Sequence, residues 1–228
     1  MVVTDLPVSA SGAKPVGVEV WGPGALFTRP ELKVERVSYS VMTPTAAIGV
    51  LEAIFWKPEF SWRPVAIEVL KPIRQFTQRR NETTDLASVD DAALRGRTVK
   101  AVEHRTQRNS VCLRDVAYRI YAHVEVRGHA TKPEAAYRDQ FRRRVERGQC
   151  FHQPYLGTRE FSAHFGPVGS HSVQDEELPR VTEDLGIMLH GVQHGEGSVS
   201  FTWFTARLDG GWLHIPRDGI AANVVAGA

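Results

Sequence analysis

The chain holds only two cysteines, Cys112 and Cys150. They form no CxxC pair and no Cys/His ligand spacing, which excludes a disulfide scaffold and a structural zinc site; both read as plain thiols. No run of eighteen apolar residues occurs, and the opening MVVTDLPVSASGAK has neither the basic lead nor the apolar stretch of a secretory signal. The expectation is a soluble, cytoplasmic protein with no membrane partner. The glycines form neither GxGxxG nor GxxxxGK[ST], GxSxG is missing, and the nine histidines contain no HExxH. Nucleotide-phosphate cradles, the hydrolase nucleophile elbow and the zinc-protease helix are therefore unsupported. Glu52, Glu68, Glu103 and Glu125 are scattered, so no paired acids for two-metal phosphodiester chemistry are visible. Asp85, Asp90 and Asp91, in DLASVDD, read as a solvated loop. No metal and no cofactor is expected.

What is present is a folding composition: 228 residues, 42% hydrophobic and 24% charged, enough for one large domain or one domain with a small appendage. The net charge of +2 hides an asymmetry. Lys and Arg outnumber Asp and Glu 25 to 17 over residues 1–159 and are outnumbered 3 to 9 from 160 onward. A basic body of this kind suits a polyanionic partner, and an acidic end would be held off phosphates or would face a protein neighbour; a mixed solvated surface is the plainer alternative.

Val16, Val18 and Val20 alternate in a strand that closes at Gly22-Pro23-Gly24. Thr43-Pro44 is an N-cap and first-turn pair opening a helix with the stripe Ala47, Ile48, Leu51, Ile54 and Phe55, ended by Trp56-Lys57-Pro58. Residues 63–71 give a second strand with Val65, Ile67 and Val69 on one face. From Arg74 to Ser110 the pattern dissolves into a polar connection carrying Arg79, Arg80, Arg95, Arg97, Lys100, Arg105 and Arg108, of a length that is usually functional or mobile. A third strand follows through Val116 to Val126. A second helix spans about Pro133 to Arg147 on the stripe Tyr137, Phe141 and Val145. GIMLHGV and SVSFTWFTARLDGGWLHIP close the chain as a strand and a hairpin turning at Asp209-Gly210-Gly211. The class is α+β, in an order compatible with the ferredoxin-like, RNA-recognition arrangement.

Around the second helix stand Arg138, Arg142, Arg143, Arg144 and Arg147, opposed by Asp139 and Glu146. They are either a solvated face or phosphate contacts, and their density favours phosphate. His152 lies in the glycine-bounded segment just after them, where an imidazole near an RNA phosphate can serve as acid or base, or make a structural hydrogen bond.

The segments ALFTRPELKVERVSYSVMTPTAAIGVLEAIFWKP, VLKPI, RNE, FRRRVERGQCFHQPYLGTREF and DLGIML, in that order over about residues 16 to 216, closely resemble the CRISPR-associated family-five proteins of type I-C systems. The resemblance implies an N-terminal ferredoxin-like domain with an inserted hairpin over 1–160 and a small antiparallel C-terminal sheet domain over 161–228. It implies a metal-independent endoribonuclease that cuts precursor CRISPR RNA at the base of the repeat hairpin by 2′-hydroxyl attack. The product's 5′ handle then stays bound within an antiviral surveillance complex. The implied partners are the repeat hairpin and 5′ handle, the backbone and large subunits of that complex, and target DNA indirectly.

Members typically carry a Tyr or His late in the first helix and a Lys-His pair in a motif like KHxxxFxRR. The matching positions here hold Phe55 and Ala136-Tyr137. Phe55 has no proton to give and Ala136 no charge, so Tyr137 keeps the one hydroxyl, as a catalytic group or as a core aromatic with a polar tip. Lys132, one turn earlier, and His152 are proposed replacements for the missing charge and imidazole. Arg142, Arg143 and Arg144 are the first phosphate contacts, with Arg36, Tyr39, Arg79 and Arg80 secondary because they lie in or beside the matched segments. The alternative is a non-catalytic subunit holding the 5′ end of a guide RNA. A third reading, metal-dependent DNA cleavage, finds no carboxylate cluster in the sequence.

Overall fold

The computed structural model describes residues 6–32, 34–83, 88–96, 105–170, 180–195 and 198–221. Asp85, Arg97, Lys100, Glu103, His104 and His171 lie outside the described residues, as do the side chains of Asp91 and His194. The elements run β1 Val16–Ala25, α1 Pro44–Ile54, β2 Phe60–Val69, β3 Gln75–Thr83, α2 Val89–Arg95, β4 Arg105–Val126, α3 Glu134–Glu146, β5 His164–Gly166, β6 Glu183–Gly195, β7 Ser198–Asp209, β8 Trp212–His214 and β9 Ile220–Ala221. The fold is mixed α and β. Its centre is one sheet in the order β5-β1-β4-β2-β8-β7-β6, with β3 paired to β4 and β9 to β7, every named pair antiparallel.

The valines of β1 set the buried face. Val16, Val18 and Val20 sit opposite Ala122, Ile120 and Tyr118 of β4, and the same core takes Ala47, Leu51 and Ile54 from α1 and Tyr137, Phe141 and Val145 from α3. Both helices therefore cover one side of the sheet. Thr43 caps α1, its Oγ1 accepting from the Ala46 N–H at 3.3 Å, and Pro44 occupies the first turn. On the opposite face the alternating positions Glu19, Glu68 and Arg119 tie β1, β2 and β4 together. Arg119 donates to Glu19 from Nε and Nη2 at 2.9 and 2.8 Å, and to Glu68 from Nη1 at 2.6 Å.

Three local expectations are corrected. Gly22-Pro23-Gly24 does not end β1, which continues to Ala25; these glycines instead admit neighbours, since a Cβ on Gly24 would stand 2.7 Å from the Phe161 ring. A bulge between Pro64 and Ala66 breaks the alternation of β2, so Val65 packs with Ala66 and Tyr121, while Ile67 and Val69 join the main core. The polar stretch after Arg74 holds β3, the short helix α2 that takes up Asp90 and Asp91 where a loop was expected, and the outer half of β4, the two strands paired from Gln75↔Leu113 to Thr83↔Arg105. Neither face of that ribbon is apolar, so hydrophobic periodicity had nothing to register. The Gly210-Gly211 turn is as expected: both residues have positive φ, +56° and +87°, between the paired Asp209 and Trp212.

Candidate nucleic-acid interface and active site

The C-terminal end of α1 is where the chain gathers chemistry. Phe55 leaves the helix in an extended conformation (φ −153°, ψ 115°), because Pro58 closely follows and the chain must straighten into β2. The last carbonyls of a helix need donors from elsewhere. Ala53 O accepts from the backbone N–H of Phe151 at 2.7 Å and of His152 at 3.3 Å, and Ile54 O accepts from Arg144 Nη1 at 2.8 Å. Gly148, at φ +62°, turns the chain off α3 so that 151–152 can reach α1.

Two large aromatic rings are left in solvent at this junction, Phe151 at 79% and Trp56 at 54% exposure, with His152 exposed between Phe151 and Gln153. Glu52 is half-buried on α1 beside Arg127 and His152. Burial pushes its carboxyl pKa up, and those two neighbours, Arg127 foremost, pull it partly back. A carboxyl that holds its proton more readily, an imidazole, guanidinium groups and bare aromatic faces therefore share one surface. That combination can stack bases, neutralise phosphates and move a proton.

The three consecutive arginines of α3 divide, as the helical step requires. Arg142 and Arg143 are exposed, Arg142 Nη1 lying 3.4 Å from Asp139 and Arg143 Nε donating to Asp139 O at 3.3 Å. Arg144 turns inward to α1. Lys132 is exposed just before the helix.

Tyr137 is enclosed, 1% exposed, its ring 5.2 Å from Phe60, which in turn packs 5.3 Å from Phe55. Phe60 thus joins the two positions that the family motif singles out. The Tyr137 hydroxyl has no partner in hydrogen-bond geometry among the described residues, although Glu59 and Thr131 stand beside it. Burial, reinforced by the Glu59 carboxylate, pushes its pKa up and keeps the proton on the phenol.

The secondary candidates lie elsewhere. Arg36 and Arg80 line a cavity of about 590 Å³ beside the β3–β4 ribbon, where Arg36 and Arg108 approach Glu82 at 3.4 and 3.6 Å and Arg80 pairs with Glu160. Arg79 is exposed on the other face of β3. Tyr39 is buried, its hydroxyl donating to Ile187 O at 3.1 Å and its ring covered by Arg29 at 4.5 Å. Glu52, Trp56, Arg127 and Phe151 were not singled out from sequence, since they come together through the docking of 151–152 on α1 and the Arg127 N–H bond to Glu59 O, not through a local pattern. No three His, Cys, Asp or Glu side chains converge as a metal site would require among the described residues.

Comparison with known proteins places this architecture. The family model described as CRISPR-associated protein (Cas_Cas5) matches residues 16–210. A Thermus thermophilus protein named CRISPR pre-crRNA endoribonuclease Cas5d is 42% identical, the match covering 88% of this chain and 91% of that one. A protein of the same name from Mannheimia succiniciproducens is 40% identical, with 90% and 96% covered. Among solved structures, one titled as a CRISPR-associated protein shares the fold at a TM-score of 0.63 and 22% identity, over 89% of this chain and 92% of that one.

Proposed function

Since the chain belongs to the Cas5 family of CRISPR-associated proteins, we propose that it is an endoribonuclease that cleaves precursor CRISPR RNA at the base of the repeat hairpin and then holds the 5′ handle. The observation that carries this reading is the junction of α1 with the 151–152 segment. There Trp56 and Phe151 stand exposed beside His152, Glu52 and the α3 arginines.

The chemistry follows from RNA itself. The 2′-oxygen attacks the adjacent phosphorus, the 5′-oxygen leaves, and a 2′,3′-cyclic phosphate and a 5′-hydroxyl result. The protein must align the attack, take a proton from the 2′-hydroxyl, return one to the leaving oxygen and balance charge on the phosphorane. His152, with Glu52 beside it, moves the proton. Lys132 supplies charge, and Arg142, Arg143 and Arg144 hold phosphates. Tyr137 can join as a donor only if its hydroxyl is uncovered. Arg36, Arg79 and Arg80 continue the phosphate track along the β3–β4 ribbon, and Tyr39, buried beneath Arg29, supports the surface near the start of α1 from below.

The strand order β5-β1-β4-β2, with α1 and α3 on one face, supports a ferredoxin-like body, of which β1, β2, β4 and both helices lie within residues 1–160 while the segment that follows supplies the edge strand β5. In it β3 and the outer half of β4 form the inserted hairpin. The division at 160 falls just before β5, and 161–228 supply the small β-rich unit. The backbone and large subunits of a type I-C complex, and target DNA through them, are the further partners of this reading.

A single 2′-deoxy substitution at the cleaved nucleotide tests it. The substituted repeat hairpin is expected to bind and stay intact, and cleavage of the deoxy substrate overturns the mechanism. The second reading, a subunit that holds the handle without cutting, is favoured by Phe55 and Ala136 at the family's acid–base positions and by the enclosed Tyr137. It predicts binding without cleavage of the all-ribose hairpin.

A further inference from the structure

A second cavity, of about 320 Å³, opens at the other end of α1. Four stretches of chain build it: the exit of β1, the first turn of α1, the loop carrying Tyr155, and Leu189 of β6. Its shape is held by backbone. Leu26 N–H donates to Leu156 O at 3.1 Å, and Tyr39 N–H to Phe27 O at 2.8 Å. Gly157, at φ +86°, lies so close that a Cβ would stand 2.0 Å from Leu26 O, so this loop is seated in the one position glycine permits. Tyr39 forms the buried floor, anchored to Ile187 O.

The lining has a definite chemistry. Tyr155 offers an aromatic wall that is 38% exposed, and Leu189 an apolar one. Thr28, Thr43 and Thr45 bring hydroxyls, with Thr43 Oγ1 and Thr45 Oγ1 3.1 Å apart. Arg29 stands beside the cavity over the Tyr39 ring. A flat ring with a hydrogen-bonding edge, carried on an anionic chain, satisfies all of these together: the ring on Tyr155, the edge toward the hydroxyls, the phosphate toward Arg29.

We infer that this cavity takes one unstacked nucleobase of the bound RNA and reads its edge. The inference rests on the reading that the chain holds repeat RNA, and extends the RNA track to the far end of α1, about 16 Å from the cleavage junction at 1.5 Å per residue over its 11 residues.

A set of repeat hairpins, each with one abasic nucleotide, tests the inference by equilibrium binding to the full chain. With the wild type, one position is expected to lose about tenfold in affinity, the scale of a single base–aromatic stack. In Tyr155→Ala, whose own affinity for the intact hairpin falls by a similar factor, that position no longer matters. Tyr155→Phe keeps the sensitivity. Thr45→Val keeps it too, but with an altered preference when each of the four bases is placed there. A scan with no sensitive position, or one equally sensitive in Tyr155→Ala, overturns the inference while leaving RNA holding intact. Failure of the wild type to bind the unmodified hairpin overturns the underlying reading as well.

Discussion

Arg144 lies over the ring of Phe55, its guanidinium carbon 5.4 Å from the ring centre, while its Nη1 closes the end of α1 by donating to Ile54 O. One side chain therefore supplies a cation–π contact, a hydrogen bond to a helix-terminal carbonyl and a positive charge where the helix dipole is negative. Arg144→Ala is expected to cost about 1–2 kcal/mol in urea unfolding, with RNA affinity reduced as well. Arg144→Lys keeps the charge but not the planar fork, and is expected to recover only part of the stability.

Arg142 and Arg143 provide the contrast, because both are exposed and, among the described residues, lean on Asp139. Replacing either with Ala is expected to leave stability within about 0.5 kcal/mol. Each loss should weaken hairpin binding whatever the loop sequence, and lower the salt slope of log K by about one. Affinity titrations at several ionic strengths check this. A slope that stays the same removes these arginines from the phosphate contacts.

The proton-transfer assignment separates three side chains. His152→Ala is expected to slow cleavage by roughly 10²- to 10⁴-fold while binding is retained. Lys132→Ala is expected to lower the rate, with stability unchanged because the side chain is exposed. Tyr137→Phe removes a buried hydroxyl with no partner in hydrogen-bond geometry among the described residues, so the variant is expected to be as stable as the wild type or more so. Its cleavage rate is the informative quantity: a loss as deep as that of His152→Ala would give Tyr137 the larger role.

His123 gives stability a pH dependence of its own. Its Nε2–H donates to Pro7 O at 2.7 Å in the neutral form, and Nδ1 is buried with no partner in hydrogen-bond geometry among the described residues. Burial lowers its pKa; Arg63 and Arg138 act in the same direction, and Pro7 O and Glu134 against it. The unfolded chain therefore takes up this proton first. Stability present above about pH 6.5 should be lost progressively as pH falls below that value, toward the depressed folded pKa. Urea midpoints from pH 7.5 to 5 should fall for the wild type and fall less for His123→Gln.

Legibility in the sequence followed the reach of each signal. Thr43-Pro44, the valines of β1, the Tyr137, Phe141, Val145 stripe and the Gly210-Gly211 turn are local patterns, and each has its counterpart in the fold. The β3–β4 ribbon escaped because the half-buried face of β3 carries Gln78, Arg80 and Glu82 after Phe76, and the bulge at Val65 because nothing in its neighbours marks the extra residue. The family motif drew attention to Phe55 and Tyr137. The rest of the junction, Glu52, Trp56, Arg127 and Phe151, depends on contacts distant along the chain: the N–H groups of Phe151 and His152 on the Ala53 carbonyl, and that of Arg127 on Glu59 O. No one-dimensional pattern encodes such a contact.

The most direct test is incubation of the purified chain with an end-labelled repeat hairpin in excess EDTA. The account predicts a single cut at the hairpin base, leaving a 2′,3′-cyclic phosphate, with the 5′-handle-bearing RNA still bound. An intact hairpin, or cleavage that appears only when magnesium is restored, would contradict it.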